Sequence, residues 1–148
     1  MNRPAIAGKP LIGYLILIIL AMGTFSCNKN DDNPLPNDPS GVLTNGSWRI
    51  TYFRDRDKDE TAHYSGYDFI FGSNNSLTAV QGSATVTGTW ASGTDNSKRK
   101  LIVGFSTPDD FEELSEDWEV ITIASTVIEL KHTSGGDGHT DYLTFEKN

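Results

Sequence analysis

The sequence predicts an all-β domain, an eight-stranded antiparallel up-and-down barrel, over residues 41–148. Apolar and polar residues alternate over short segments, which is typical of strands with one buried face. Gly, Asn, Asp and Ser interrupt this alternation at short intervals, as turns require. No segment keeps an apolar period of 3.6 over ten residues, which argues against long amphipathic helices. Short turns between successive strands favour a meander, and a meander closes most simply as a barrel.

Eight segments carry the alternating pattern, beginning with one that aligns Trp48, Ile50 and Tyr52 on one face. The predicted strands are Ser47–Arg54, His63–Phe71, Leu77–Val80, Thr85–Trp90, Lys100–Ser106, Trp118–Ala124, Val127–Lys131 and Thr140–Glu146. Residues 109–115 predict one short helical turn, because acidic side chains at its start suit the helix dipole.

The first 26 residues are typical of a signal peptide. Arg3 and Lys9 lie in a segment without acids, and an apolar run over 11–23 follows. A positive segment followed by 7–15 apolar residues is the usual pattern of an export signal. As a helix the run spans only about 20 Å, against roughly 30 Å for the hydrocarbon core of a bilayer. A retained membrane anchor is the alternative.

Cys27, the only cysteine, follows this segment and has no second cysteine in the chain for a disulfide. The stretch Thr24-Phe25-Ser26-Cys27 resembles the lipobox of bacterial lipoproteins. The resemblance implies that Cys27 carries acyl chains, palmitate among them, and that these anchor the protein in the membrane. Residues 27–40 are rich in Pro, Asn and Asp and predict a disordered tether before the domain at 41–148.

The residues directly after Cys27 bear on the location of the protein. Lys29 and the pair Asp31-Asp32 resemble the export signal of surface-exposed lipoproteins in Bacteroidota. This resemblance implies a lipid-anchored protein of the cell outer membrane that is exposed at the cell surface. A tether that faces the periplasm is the alternative.

Charge is distributed unevenly along the predicted meander. Without residues 1–26 the chain has 10 basic and 20 acidic side chains, a net charge of −10, which argues against nucleic acid as a partner. Alternate connections of a meander lie at the same end of the barrel. The acidic end is defined here by Asp55, Asp57, Asp59, Glu60, Asp109, Asp110, Glu112, Glu113, Glu116, Asp117 and Asp137. At the other end, residues 98–100 predict a basic patch that faces anionic lipid; ordinary polar loops are the alternative.

A family resemblance supports the barrel. Gly46-Ser47-Trp48, at the start of the first predicted strand, looks like the Gly-x-Trp motif of lipocalins. The ordered segments GTW, DWEVI and SGGDGHTDYLTFEK resemble the lipocalin-like domains of Bacteroidota lipoproteins. The resemblance implies a small barrel and a binding role without a particular ligand. Lipocalins often place an Arg of the last strand over the Trp, whereas Lys147 is the only basic candidate here.

The predicted interior of the barrel is crowded. An eight-stranded barrel is just wide enough for its own side chains or for one small ligand. The predicted inward residues are Trp48, Ile50, Tyr52, Tyr67, Phe69, Phe71, Trp90, Val103, Phe105, Leu130 and Phe145. With so many bulky side chains, we expect an interior that is mostly filled.

The last predicted hairpin supplies a candidate site at the acidic end. If His132 pairs with His139 across the loop TSGGDG, Asp141 points the same way, and two imidazoles with a carboxylate suit Zn²⁺ or Cu²⁺. A shift of one residue would scatter the set, since neighbouring strand residues face opposite sides. Tyr64 at the same end completes the predicted ligand contacts. A solvated strand end is the alternative.

Asp55, Asp57 and Asp59 alternate as in a calcium-binding loop. Glu60 and Gly66, however, stand where an EF-hand needs Gly and Glu. The three aspartates are therefore weak metal candidates, and no resident cofactor is predicted.

These observations predict a binding protein and no enzyme. The motifs G-x-S-x-G, P-loop and H-E-x-x-H do not occur, and the only thiol is assigned to lipid. The leading prediction is a lipid-anchored cell-envelope protein that binds a small ligand or cation at its acidic end. The alternative is a protein–protein interaction or inhibitor module of an envelope complex, with the acidic loops as its docking face.

Overall fold

Eight antiparallel strands close into a barrel in the computed structural model, which describes residues 37–148. The strands are β1 Trp48–Asp55, β2 Lys58–Asp59, β3 Asp68–Phe71, β4 Ser76–Gln81, β5 Ala84–Asp95, β6 Lys98–Gly104, β7 Asp117–Ile123, β8 Val127–Thr133 and β9 Thr140–Lys147. Strands β3 to β9 pair in chain order, and β1 pairs with both β3 and β9. The two-residue strand β2 is additional and pairs with β1. The predicted up-and-down barrel is confirmed.

Within residues 37–148, three short helices accompany the strands. They are α1 Ser40–Leu43, a 3₁₀ helix Thr61–Tyr64, and α2 Asp109–Glu112, which confirms the predicted helical turn. Over residues 37–148, none of the helices has the length and hydropathy that a membrane crossing needs.

The predicted signal peptide 1–26, Cys27 and most of the predicted tether 27–40 lie outside the described residues. The last residues assigned to the tether belong to the fold. Pro39 is buried and Ser40 begins α1. The hydroxyl of Ser40 is hydrogen-bonded to that of Ser92 on β5 at 2.7 Å, so α1 is fixed to the barrel wall.

Aromatic rings fill the barrel, as the sequence predicts. Phe145 packs edge-on against Phe69 and Phe71, with ring centroids 5.5 and 5.4 Å apart. Phe111 of α2 enters the same cluster and contacts Phe69 and Phe105. Such edge-to-face pairs stabilise a core beyond the effect of their buried area.

A β-bulge changes the face that part of β1 presents. Ile50 pairs with Phe145 and Tyr52 pairs with Thr144, so Thr51 is an extra residue in β1. Alternation is broken there. Phe53 therefore faces the core at 1% exposure, whereas Tyr52, predicted to face inward, is 37% exposed.

The predicted strand His63–Phe71 is correct only in its second half. Residues 61–64 form the 3₁₀ helix instead, and Gly66 has a φ of 81°, which a regular strand does not allow. Strand β3 begins at Asp68. Tyr67 precedes it and is partly buried against the core.

Two tryptophans attach the segments that cover the barrel ends. The indole N–H of Trp48 donates to the carbonyl of Leu43 in α1, and that of Trp118 donates to the carbonyl of Leu114 after α2, both at 2.9 Å. Leu43 and Leu114 are completely buried. Each bond satisfies a buried donor, whose loss would cost about 1–3 kcal/mol.

Gly46, the first residue of the Gly-x-Trp motif, adopts a backbone conformation that favours glycine. Its φ of 108° favours glycine, and a Cβ atom there would lie 2.8 Å from Cε of Lys147. Lys147 pairs with Trp48 in the β1–β9 ladder, so the first and last strands meet at this residue.

The predicted basic patch is largely neutralised. Strand β5 extends to Asp95, so residues 98–100 lie in β6 and not in a loop. Lys98 forms an ion pair with Glu119 at 2.8 Å, and Lys100 one with Asp117 at 3.5 Å. Strand β7 thus places carboxylates beside two of these cations, and the orientation of the patch toward lipid stays a prediction.

A glycine in β5 gives a test of the packing. A Cβ atom at Gly88 would overlap the carbonyl of Gly104 and lie 2.6 Å from Cδ1 of Phe105, whereas one at Gly93 has open space. We expect Gly88→Ala to lower the free energy of unfolding by about 2–3 kcal/mol. Gly93→Ala on the same strand should change it by less than about 0.5 kcal/mol. Urea unfolding followed by tryptophan fluorescence measures both. Equal unfolding midpoints for the two variants would contradict this packing.

Candidate functional site

The inward-facing rows of two strands turn from apolar to polar at the acidic end. In β8, Ile128 and Leu130 face the core, and the next inward position is His132. In β9, the row continues past Leu143 to Asp141, which is 6% exposed. Residues two apart in a strand share a face. The candidate site is therefore the last layer of the barrel interior.

The predicted grouping of the two histidines with Asp141 occurs, although with a different strand register. His132 pairs with Asp141, and Thr133 pairs with Thr140. The register predicted from the loop, His132 opposite His139, is wrong by two residues. A shift of two residues keeps every side chain on its face, and for that reason the set stays together.

Asp141 is at the centre of the group. Its Oδ1 accepts a hydrogen bond of 2.8 Å from the backbone N–H of Arg56. Arg56 has a φ of 54°, a conformation that is strained for a residue other than glycine. The turn at Arg56 thus directs the backbone N–H of this residue at the buried carboxylate of Asp141. The other oxygen of the carboxylate, Oδ2, faces the two histidines.

His139 is held by carboxylates on both sides of its ring. Its Nδ1 is hydrogen-bonded to Oδ1 of Asp137 two residues earlier, and its Nε2 lies 3.5 Å from Oδ2 of Asp141. The bond from His139 lowers the pKa of the Asp137 carboxyl below its usual range. If Nδ1 carries the proton that Asp137 accepts, the lone pair of Nε2 points at Asp141.

His132 also lies between carboxylates, but its two ring nitrogens have exchanged roles: Nε2 faces the outer carboxylates and Nδ1 faces Asp141. Its Nε2 lies 3.5 Å from Glu116 and 3.8 Å from Asp117. Its Nδ1 is buried and lies 3.5 Å from Oδ2 of Asp141, which is ion-pair range without hydrogen-bond geometry. Within residues 37–148 this nitrogen has no hydrogen-bond partner. Its ring packs edge-on to Trp118.

A pocket of about 330 Å³ opens over these groups. Phe53 lines it from the core side, and its other lining residues are Asp55, Arg56, Glu113, Glu116, His132, Ser134, His139 and Asp141. Single ligand atoms of Asp55, His139 and Asp141 all lie within 4.8 Å of one another, and those of Glu116, Asp117 and His132 do so as well. The arrangement can bind one cation or a small polar molecule.

Tyr64 does not lie at the rim as predicted. Its side chain is 1% exposed and packs against Phe53 and Phe111. Its hydroxyl donates to the backbone carbonyl of Asp110. Burial and the nearby carboxylates, Glu113 first among them, raise the pKa of the Tyr64 phenol. Through these contacts with Asp110 and Phe111, Tyr64 holds α2 against the barrel.

The three aspartates of the predicted calcium loop separate. Asp55 joins the histidine group, whereas Asp59 accepts a hydrogen bond from the backbone N–H of Thr61 and Asp57 is exposed in the turn before β2. The hairpin between β1 and β2 causes this, because it pairs Asp55 with Lys58 and sends Asp59 to the other side.

Sequence reasoning missed the supporting groups of the site. From the sequence, Glu116 and Asp137 are predicted only as charges of the acidic end, and no pattern indicates a role for the backbone N–H of Arg56. The spacing Asp137-x-His139 was the available signal, since an Asp commonly bonds groups two residues on. No sequence pattern links Glu116 to His132, because that contact depends on how α2 lies over the barrel.

The comparisons with known proteins support the fold. No family model matches the sequence, and no curated protein matches it. Among solved structures, the chain is similar to a DUF4847 family protein from Bacteroides vulgatus ATCC 8482. The similarity covers 74% of this chain and 96% of that protein, with 17% identity and a TM-score of 0.50. At this identity the likeness supports a small barrel and gives no ligand or activity.

The charge of Glu113 gives a test of the electrostatics of the acidic end. Burial, and then repulsion by Glu60, Asp55 and Asp110, raise the pKa of the Glu113 carboxyl. A raised pKa in the folded state means that ionised Glu113 destabilises the fold at neutral pH. Because Glu113 is largely solvated, this cost is reduced by screening.

We therefore expect Glu113→Gln to raise the free energy of unfolding at pH 7 by roughly 0.5 kcal/mol. The gain should shrink as the pH falls through the raised pKa and vanish below about pH 4, near the ordinary Glu value. Glu112→Gln, next in the chain and exposed, is the control. The measurement is urea unfolding at several pH values with chelator present, and a gain that persists in acid would contradict the interpretation.

Proposed function

We propose that this protein is a lipid-anchored cell-envelope binding protein that takes a cation or small polar ligand in the pocket at its acidic end. One observation supports this proposal above the others. Each of the two histidines of the last hairpin has a ring nitrogen 3.5 Å from the same oxygen of Asp141, and the Nδ1 atom of His132 is buried there without a hydrogen-bond partner. A buried polar atom of this kind usually has a ligand or water as partner.

The packing of the barrel limits the size of the ligand. Rings from β3, β9 and α2 occupy the interior, and Leu114 is buried beneath α2. A long acyl chain inside the barrel is therefore a poor fit. A pocket of about 330 Å³ with mainly polar lining suits an ion or a compact polar molecule.

A protein–protein role remains the second candidate, and the filled interior favours it. The exposed carboxylates of Asp109, Asp110 and Glu112 lie together on α2 at the acidic end. Such a surface would attract a basic partner through long-range electrostatics that salt weakens. Inhibition of an envelope complex would need this face and not the pocket.

The location in the envelope depends on Cys27 and the lipobox resemblance. We expect metabolic labelling with a palmitate analogue to mark the wild-type protein and not Cys27→Ala. The wild-type protein should also lose the mass of residues 1–26 and gain acyl groups. A protein that keeps its first 26 residues and takes up no label would favour the retained membrane anchor.

Native mass spectrometry tests the binding role directly. The full chain is expressed in a bacterial envelope, purified in detergent without chelator and sprayed under non-denaturing conditions. We expect extra mass from an ion or small molecule, removed on denaturation and absent from His139→Asn. A bare protein mass, together with salt-sensitive capture of a basic envelope protein that charge-neutral α2 variants abolish, would favour the second candidate.

A further inference from the structure

The orientation of the three central side chains specifies the class of ligand. We infer that the pocket binds a late first-row transition-metal dication, of which Zn²⁺ is the representative, through His132 Nδ1, His139 Nε2 and Asp141 Oδ2. Asp55, which groups with His139 and Asp141 within 4.8 Å, supplies the fourth ligand atom, a second carboxylate oxygen. This inference rests on the proposed binding role of the same pocket.

The first argument is that each central side chain has one atom fixed from outside and another directed inward. Asp137 is hydrogen-bonded to the outer nitrogen of His139, and Glu116 lies 3.5 Å from the outer nitrogen of His132. The N–H of Arg56 binds the outer oxygen of Asp141. Metal-bound histidines almost always have their second nitrogen held by a carboxylate, carbonyl or water, which fixes the tautomer and the ring orientation.

The second argument is the spacing of the inward atoms. Oδ2 of Asp141 lies 3.5 Å from Nδ1 of His132 and 3.5 Å from Nε2 of His139. In a tetrahedral site with bonds of 2.0–2.1 Å, neighbouring ligand atoms are about 3.3–3.4 Å apart. The two distances are therefore long for hydrogen bonds and close to the two edges of a zinc tetrahedron that meet at Asp141 Oδ2.

The third argument is the chemistry of the donors. Two imidazole nitrogens with carboxylate oxygens suit Zn²⁺, Cu²⁺ and Ni²⁺, whereas Ca²⁺ and Mg²⁺ prefer oxygen ligands in larger number. The unpartnered Nδ1 of His132 is an independent sign of a ligand at this position. The two carboxylates, Asp55 and Asp141, also offset the positive charge of a dication. Apolar side chains such as Phe53 and Trp118 alone would not do so.

The chain offers a matched control for the histidines. His63 is more exposed and also lies beside carboxylates, 3.3 Å from Glu60 and 3.8 Å from Asp110. It does not belong to either of the ligand groups among residues 37–148. A cation attracted merely by the acidic end would not distinguish His63 from His139.

The test is titration calorimetry of the full chain in detergent with Zn²⁺, Ca²⁺ and Mg²⁺. We expect one Zn²⁺ per chain, bound at least about 100-fold more tightly than Ca²⁺. Asp137→Asn, which removes only an orienting carboxylate, should weaken Zn²⁺ binding by about 10- to 100-fold. His139→Asn should weaken it further, and His63→Asn should change it by less than about twofold.

Nuclear magnetic resonance of the ¹⁵N-histidine-labelled wild-type protein avoids any folding defect of a variant. Added Zn²⁺ should shift Nδ1 of His132 and Nε2 of His139 as ligand nitrogens and leave His63 unchanged. Zn²⁺ that binds no tighter than Ca²⁺, or shifts at His63 alone, would overturn the inference. An organic ligand that co-purifies in the pocket without metal would overturn it too, but would leave the proposed binding role intact. Absence of any ligand together with absence of Zn²⁺ binding would defeat both.

Discussion

The pairing of β1 with β9 is the interaction on which both the core and the candidate site depend. It closes the barrel, and its bulge at Thr51 sets which side chains of β1 face inward. After the bulge, Phe53 enters the core and Asp55 reaches the pocket. If the same residues paired without the bulge, regular alternation would bring Arg54 to the interior instead. A cation would then stand beside the histidines, and the pocket would repel the ions it is now suited to bind.

A filled barrel explains why the polar layer around Asp141 lies at an end of the interior and not in its middle. Aromatic and aliphatic side chains pack against one another in the middle of the interior. Burial of an unpaired carboxylate there would lower the free energy of unfolding by several kcal/mol. At the acidic end, turns and loops supply backbone N–H groups and second carboxylates that the wall of the barrel does not. Asp141 is buried there with the Arg56 N–H on one oxygen and two imidazoles near the other. Strain at Arg56 and an unpartnered His132 nitrogen both occur at this one place, as is common at functional sites.

The sequence predicted what depends on alternation and connection order, and missed what depends on backbone irregularity. Strand alternation and short turns were sufficient for the barrel, and they also placed His132, His139 and Asp141 on one face. That grouping survived a register error because the error was an even number of residues. Tyr52 was misplaced because a bulge leaves no sequence signature. Tyr64 was misplaced because the 3₁₀ helix turns its ring beneath α2, where packing overrides the alternating pattern.

The charge distribution bears on how the site and the fold are coupled. Lys98 pairs with Glu119, and Lys100 pairs with Asp117, a single carboxylate of the acidic end, so the other carboxylates of that end are not balanced by these two lysines. Burial, and then repulsion by neighbouring carboxylates, raise the pKa of the Glu113 carboxyl. The groups around the pocket come from separate parts of the chain, the β1–β2 turn, the segment after α2 and the β8–β9 hairpin. A bound cation would relieve the repulsion and join these segments at one point. Because a ligand that binds only the folded state stabilises it by mass action, occupancy of the pocket should order the acidic end more than the rest of the barrel.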